Sequence, residues 1–421
     1  MKKLLTSLSL VALCLVSLSG NAQQALTIEH IFQSPALDGS APKKLKVSPD
    51  GKRVTFLKAK ESDYERFDLW EYNVATGKTQ MLFDSNDLIS GAEQLSDEEK
   101  ARRERMRESG TGIIEYFWSN DGTALLFPLG GDAYYLKLGD KNARQLLKTA
   151  AFETDIKFSP KANYISYVRD QNLYIMNIAS GKEQAITTKG GGDIKYAMAE
   201  FVAQEEMSRM TGYWWAADES KIALTRVDMS PVEKITRSEI YADSIKMITQ
   251  RYPLAGTANV EIGLGVYQLK NRQTSWIDLG AEKDIYLARA KWMPDSQTLT
   301  YQWQSRNQQQ LELRAYDSQS KKQQVLIKES SNTWLNLHDD LYFVSQNEVL
   351  WASERDGFNH LYLFDNTGKM LKQLTQGEWV VDSVEAIDTV NQKVYFTGCK
   401  DTPIEKHLYS VSLQDGAINK V

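Results

Sequence analysis

Trp118-Ser-Asn-Asp-Gly122 and, eleven residues on, Ala133-Tyr-Tyr-Leu-Lys-Leu138 recur in altered form along most of the chain. The first element joins an aromatic or β-branched residue to a tight turn. Its cognates are Val47-Ser-Pro-Asp-Gly51, Phe158-Ser-Pro-Lys161, Trp215-Ala-Ala-Asp218 and Trp292-Met-Pro-Asp295. The second is a strand rich in Leu and Tyr, repeated at Leu69-Trp-Glu-Tyr-Asn-Val74, Leu173-Tyr-Ile-Met-Asn-Ile178, Gly265-Val-Tyr-Gln-Leu269 and Leu311-Glu-Leu-Arg-Ala-Tyr316. His360-Leu-Tyr-Leu-Phe364 and His407-Leu-Tyr-Ser-Val411 add two more. Apolar and polar residues alternate through these runs, as half-buried strands require. Asp50-Gly51, Asp121-Gly122 and Ser180-Gly181 supply hairpin turns between them. The openers at 118 and 158 lie 40 residues apart, close to the ~40–45 residues of one four-stranded propeller blade. The longer intervals, 47 to 118, 158 to 215 and 215 to 292, predict insertions, and the last is long enough to hide a further blade. A β-sandwich is the competing reading, but it gives no reason for the recurring opener, whereas radial repetition of one blade does. The expectation is an all-β propeller of about seven blades with short helical insertions.

Composition agrees. The 421 residues carry 50 Lys plus Arg against 55 Asp plus Glu, a net charge of −5, which argues against a nucleic-acid partner. Hydrophobic residues at 42% and charged residues at 25% suit a packed globular chain rather than a disordered one. The surplus lies in Trp 10, Tyr 20 and Phe 13, residues that favour pleated, half-buried surfaces. Residues 1–22 read as a secretory signal: Lys2 and Lys3, an apolar run from Leu4 to Leu18, then small residues at Gly20-Asn21-Ala22. Export, most simply to a bacterial periplasm, is expected, with residues 23–421 as the propeller. No other long apolar run offers a membrane span. After removal of the signal, Cys399 is the one cysteine left, so no internal disulfide forms and a large core must hold the fold. Cys399 reads as a small buried hydrophobe rather than a nucleophile.

The inventory for chemistry is short. There is no Gly-x-Ser-x-Gly elbow, and no Cys-x-x-Cys, His-Glu-x-x-His or EF-hand spacing. No metal ion, no cofactor and no catalytic residue within the chain are expected. Of the four histidines, His360 and His407 each open a Leu-Tyr strand and read as structural; Gly190-Gly191-Gly192 reads as a flexible turn.

Two segments break the β pattern. Ser96-Asp-Glu-Glu99 is a capping box ahead of a charged helix through Lys100–Arg107. A second helix is predicted within Tyr196–Arg209, stopped by Thr211-Gly212. Insertions on one side of a repeat array often carry the binding surface. Glu205 and Glu206 point about 100° apart on a helix and converge on one cation where the helix end faces a cavity. The fitting ligand is an ammonium, whose three N–H donors can be shared between carboxylates. The plainer alternative is a solvated face with Glu205 paired to Arg209 at i, i+4; the aromatic cluster Thr211-Gly-Tyr-Trp-Trp215 beside it speaks for a site. On the basic helix, Arg102, Arg103, Arg105 and Arg107 interleave with Glu104 and Glu108. Either the helix neutralises itself in solvent, or one of Arg103 and Arg107, which share a face, turns inward as a bidentate donor.

The stretch Ala199-Glu-Phe-Val-Ala-Gln-Glu-Glu-Met-Ser-Arg-Met-Thr-Gly-Tyr-Trp-Trp215 resembles the double-glutamate motif of the dipeptidyl peptidase IV group of prolyl-oligopeptidase-type serine peptidases. Arg103-Glu-Arg-Met-Arg107 with Gly112-Ile-Ile-Glu-Tyr116 is similar to that group's arginine-bearing insertion. Further similarity lies in Arg251-Tyr-Pro-Leu-Ala-Gly256 with Asn259, in Glu354–Tyr362 and in Asp401–Tyr409. The resemblance covers essentially the whole chain after the signal.

It implies an eight-bladed propeller followed by an α/β-hydrolase domain. It also implies that Glu205 and Glu206 bind the free α-ammonium of a peptide, while Arg103 or Arg107 helps hold the substrate carbonyl. Together they would act as a ruler that places the bond after the second residue, typically proline or alanine, at the nucleophile. Members of the group often dimerise. The sequence given stops at Val421, so the resemblance leads one to expect an incomplete propeller with an exposed strand edge. The hydrolase domain is expected to be absent from this chain or supplied in cis or trans, and the chain alone to be inactive. Two functions compete: the substrate-anchoring propeller of an exported dipeptidyl aminopeptidase, and a stand-alone, non-enzymatic peptide- or protein-binding propeller of the cell envelope. A tripeptidyl or acylaminoacyl peptidase is a third, weaker reading, since acylated substrates lack the amine that two glutamates would bind.

Overall fold

The computed structural model describes residues 26–33, 37, 39, 41–89, 93, 95 and 97–421. The signal segment 1–22 and the helix-capping Ser96 lie outside the described residues. Among the described residues seven four-stranded antiparallel ladders follow one another in sequence order; the first also takes Thr111–Gly112 in parallel on Arg66–Asn73, and the first strand of the fourth comes in two pieces. These are blades 1 to 7, spanning 43–83, 117–145, 154–185, 194–276, 285–330, 341–373 and 381–420. The architecture is a β-propeller. Every one of the seven Leu/Tyr runs falls on the third strand of its blade, from Arg66–Asn73 in blade 1 to His407–Ser412 in blade 7.

The openers are the turns between first and second strands. In blade 1 the buried Ser48 donates through Oγ to Asp50 Oδ1 at 2.6 Å and accepts from Arg53 N at 3.0 Å, while Gly51 N closes on Ser48 O at 2.8 Å. Ser119 and Ser159 repeat the arrangement at Ala124 N and Tyr164 N. The turn needs one residue in the left-handed region. Gly51 and Gly122 take it at φ 70° and 69°, where an L side chain is strained.

Middle strands are covered on both faces, as in Thr298–Ser305, whereas fourth strands such as Lys78–Phe83 are largely exposed. The apolar residues therefore gather in seams. Among the described residues one cluster joins each consecutive pair of blades, six in all, from Leu57, Leu69 and Phe127 between blades 1 and 2 to Leu361, Phe396 and Val411 between blades 6 and 7. The opener positions Trp118, Phe158, Trp215, Trp292, Phe343 and Ile387 line a well of about 800 Å³ between the first strands of blades 2 to 7.

A polar device crosses alternate seams at the level of the well. Lys46, Lys157 and Lys291, each one residue before an opener, reach onto the next blade. Lys157 Nζ lies 3.8 Å from the Tyr213 ring centroid and donates to Thr211 Oγ1 at 2.6 Å. Lys291 Nζ lies 4.7 Å from the Tyr342 centroid and donates to Leu341 O at 2.8 Å. Lys46 sits 4.8 Å from Phe117 and donates to Tyr116 O. Desolvation pushes all three ammonium pKa values down. Across the strand from each lysine stands a buried hydroxyl, Thr55, Ser166 or Thr300, that donates to the lysine's own carbonyl. Two of these hydroxyls also accept an indole N–H from the next opener, Trp118 to Thr55 and Trp215 to Ser166, both at 2.9 Å.

Three expectations need adjusting. The interval 215 to 292 hides no further blade: it holds a two-stranded hairpin, Lys234–Ile240 with Ile245–Arg251, inserted within blade 4. The second predicted helix shrinks to Phe201–Glu206, because Tyr196 still pairs with Arg226 in the sheet. Cys399 is half-buried rather than buried. His360 is structural as expected: fully buried, with ring nitrogens 3.0 Å from Thr375 Oγ1 and 2.9 Å from Gly377 O.

The lysines differ in what they leave behind. Lys157 also pairs with Asp155 at 3.1 Å, so K157M strands a carboxylate and is expected to cost about 3 kcal/mol. K291M removes a desolvated charge held by one carbonyl and an aromatic face, and is expected to change stability by about 1 kcal/mol or less. Urea midpoints of the two variants measure this; equal shifts would contradict the assignment.

Candidate functional site

Among the described residues the α-helices are α1 (Ile28–Phe32), α2 (Asp97–Arg105) and α3 (Phe201–Glu206). α3 is an excursion from the middle of a first strand. Ile194–Tyr196 and Tyr213–Trp215 both pair with Lys221–Asp228, and the chain leaves and rejoins the sheet between them. The neck is tight. Thr225 N donates to Gly212 O at 2.8 Å, Ala197 N donates to Thr225 O at 2.9 Å, and Ala197 takes φ 58°. A Cβ on Gly212 would lie 2.3 Å from Met198 N, so only glycine closes this neck.

Six residues do not hold a helix by themselves. Glu200 caps α3, its Oε1 accepting from Ala203 N at 3.0 Å. Behind it lies Arg209, whose backbone N donates to Ala203 O at 2.9 Å and whose Nη1 donates to Thr211 O at 2.8 Å. Arg209 Nη2 is 3.9 Å from Glu200 Oε1. Burial raises the Glu200 pKa and pulls that of Arg209 down to about 10, each opposed by the partner's charge. The apolar side packs through Ala203 and Met207 against Ala288.

That leaves Glu205 and Glu206 exposed at the end of the helix. The Glu205–Arg209 pair considered from sequence does not form. Arg209 turns inward to Glu200, and Glu205 Oε1 instead meets Arg105 Nε of α2 at 3.2 Å. Arg105 Nη1 donates to Gln204 Oε1 at 2.5 Å, and its guanidinium covers the Phe201 ring at 5.1 Å. Phe201 in turn meets Tyr252, just beyond the hairpin, with centroids 4.9 Å apart. Three inserted elements thus converge on one turn of helix, around a cavity of about 480 Å³ that Arg105, Gln204, Phe201, Met210 and Arg251 help to line.

Each arginine of α2 has its own destination. Arg103 is buried between Glu99 and Glu93, both at 3.0 Å, and Glu93 also accepts from Gly112 N at 2.9 Å. Arg102 pairs with Glu115 at 3.2 Å. Glu99 spends its second oxygen on Thr154 Oγ1 at 3.0 Å, so its side chain ties α2 to blade 3. Arg107 lies past the helix end, exposed, with φ 53°. Of the arginines singled out from sequence, Arg103 is therefore committed to docking α2, and Arg107 does not share its face because the helix has ended. The arginine brought to the double glutamate is Arg105. The i, i+4 relation of Glu99 to Arg103 was the available signal that Arg103 already had a partner. Tyr213 is fully buried beneath Lys157, and Trp214 and Trp215 line the axial well; this aromatic cluster carries the resumed strand rather than the walls of the 480 Å³ cavity.

Blades 2 to 7, with the double glutamate, lie within residues 116–421, which match the family described as dipeptidyl peptidase IV (DPP IV) N-terminal region. The chain belongs to that family. Among relatives, it is 26% identical to dipeptidyl peptidase 8 of Homo sapiens over 411 residues, covering 75% of this chain and 45% of that protein. It is 28% identical to dipeptidyl aminopeptidase A of Saccharomyces cerevisiae over 281 residues, covering 61% and 30%. The crystal structure of Porphyromonas gingivalis dipeptidyl peptidase 4 superposes with a TM-score of 0.75 at 22% identity, over 90% of this chain and 53% of that one. This likeness bears out the propeller fold. The chain spans about half the length of these relatives or less.

The sorting of the arginines is testable. R103M leaves Glu93 and Glu99 without their main cation and is expected to cost about 3 kcal/mol, appearing as early proteolytic cleavage between residues 93 and 110. R107A is expected to stay within about 0.5 kcal/mol of the parent. The reverse order of sensitivities would overturn the placement.

Proposed function

We propose that this chain anchors the amino terminus of peptides for an exported dipeptidyl aminopeptidase. In this reading Glu205 and Glu206 hold the α-ammonium and Arg105 faces the neighbouring carbonyl. The observation that carries it is the state of the two carboxylates: exposed, adjacent, on a helix clamped from behind, next in sequence to Gln204 and, through Glu205, in contact with Arg105, both of which line the cavity. The ionic link from Arg105 to Glu205 involves side chains 27% and 37% exposed. Such surface pairs are worth about 0–1 kcal/mol, so an ammonium with three donors competes for Glu205 at little cost. Arg105, held at Gln204 through Nη1, then has its Nε released for a carbonyl or carboxylate. The names of the relatives, dipeptidyl peptidase and dipeptidyl aminopeptidase, support the substrate class.

An ammonium fixed at one end of an extended dipeptide sets the distance to the bond that follows it. Proline or alanine at the second position suits such a ruler, and positioning of this kind lowers a barrier by making the attack effectively unimolecular. The reading gives these residues anchoring, not bond cleavage. Export is supported by the amino-terminal Lys2-Lys3 and the apolar run to Leu18. For pairing of two copies, the blade 4 hairpin offers an exposed apolar tip with Ile240, Ile245 and Met247.

Calorimetry with Gly-Pro-Gly and its N-acetyl form tests the anchoring. The free peptide is expected to bind and the acetylated one not, and E205Q and E206Q are each expected to weaken binding about 10-fold or more. Equal binding of the acetylated peptide would sink the reading.

A further inference from the structure

We propose that one resident water sits behind α3, bridging Glu200 and Asn259, and that these two side chains position the double-glutamate helix. The positioning half deepens the ammonium reading; the water stands without it.

Glu200 has one oxygen committed, Oε1 to Ala203 N at 3.0 Å. Its Oε2 is buried with no hydrogen-bond partner among the described residues. The same holds for Asn259 Nδ2. Both residues are 8% exposed. They line one small cavity of about 10 Å³, closed by Val202, Ile262, Tyr286 and Leu287. A cavity lined only by such apolar walls stays dry. One with room for a single water and a polar group on each side holds it, because the water satisfies both groups. Here the polarities complement each other. The carboxylate oxygen accepts from the water and the amide N–H donates to it.

The consequence is mechanical. Glu200 stands where the chain enters α3, and Arg209, beside Glu200, stands where it leaves. Asn259 belongs to neither. It precedes the strand Glu261–Gln268, the third strand of blade 4, which pairs along its length with Lys221–Asp228. A water between Glu200 and Asn259 therefore ties the base of a six-residue helix to a central strand of the sheet. The orientation of α3, and with it the direction of Glu205 and Glu206, follows from that tie. Neither Glu200 nor Asn259 reaches the exposed end of the helix, so both are positioning residues. The Arg251–Asn259 segment, prominent in the sequence, gains a purpose: Arg251 grips Asp193 through two contacts of 2.6 Å at one end, and Asn259 holds the water at the other.

The test has two arms. A high-resolution crystal structure of the chain is expected to show one ordered water within hydrogen-bond distance of Glu200 Oε2 and Asn259 Nδ2; a dry cavity, or a direct bond between the two, overturns the water. In the second arm, Asn259→Leu fills the cavity, and is expected to speed amide exchange across residues 201–206 and to weaken Gly-Pro-Gly affinity about fivefold. Asn259→Ser, which keeps a donor, restores most of both and serves where the leucine variant does not fold. The double variant Glu200→Gln with Asn259→Leu is expected to bind no more weakly than Glu200→Gln alone, since both act through one water. Exchange and affinity unchanged in Asn259→Leu overturn the positioning role. If the parent chain itself fails to bind Gly-Pro-Gly, the ammonium reading falls, and the crystal and the exchange rates still decide the water and the tie.

Discussion

The fold depends on the seam between adjacent blades. A central strand such as His360–Asp365 is apolar on both faces and is buried only because another blade lies on each side. No single four-stranded sheet here can cover itself, so the free energy of folding lies in six shared clusters rather than in any one blade. Seams of this kind resist separation but not slippage. The lysines supply the missing register. An ammonium over the next blade's ring, bonded to that blade's backbone or hydroxyl, is satisfied in one relative placement only. The positions preceding the openers run Lys46, Phe117, Lys157, Trp214, Lys291, Tyr342, cation and aromatic by turns, and on blades 1 and 5 the lysine stacks on its successor in this series.

Rigid seams are what permit α3. A first strand that is interrupted for sixteen residues, from Ala197 to Gly212, would fray if its neighbours were not fixed. Here both halves stay in register on Lys221–Asp228, with the neck closed at Gly212. The same strand therefore presents a helix on one side and resumes as Tyr213–Trp215 in the wall of the well. In the proposed reading the ammonium site is grafted onto an excursion, while the repeat beneath it remains a repeat.

How much of this was legible follows from the range of each interaction. The blades were legible because strand alternation and the Ser-Pro-Asp-Gly turn are local: Ser48, Asp50 and Gly51 bond among themselves. The existence of two helical insertions was legible from capping and polarity, and the glutamates from their motif. What escaped was long-range. Arg105 meets Glu205 across one hundred positions in sequence, and no periodicity on α2 announces which of four arginines faces another insertion. Helix length decided the rest. With α2 ending at Arg105, the shared face of Arg103 and Arg107 never forms. The same limit explains Arg209, whose i, i+4 relation to Glu205 lost to a buried carboxylate at the far end of a helix only six residues long.

The ion pairs around the site then fall into two kinds, and burial separates them. Arg103 with Glu93 and Glu99, and Arg209 with Glu200, are buried away from bulk solvent; breaking either leaves a charge without its counter-ion. These pairs are fixed, and they fix α2 and α3. Arg105 with Glu205 lies at the surface, where each partner can be re-solvated or handed to another ion at small cost. A binding site needs that contrast. If Glu205 were held as tightly as Glu99, a ligand cation would have to leave a buried guanidinium without its counter-ion to reach it. If Glu200 were held as loosely as Glu205, the helix would carry no defined direction for the ligand to meet. Placing the strong pairs at the base of the insertions and the weak pair at their tips satisfies both requirements with the same two residue types.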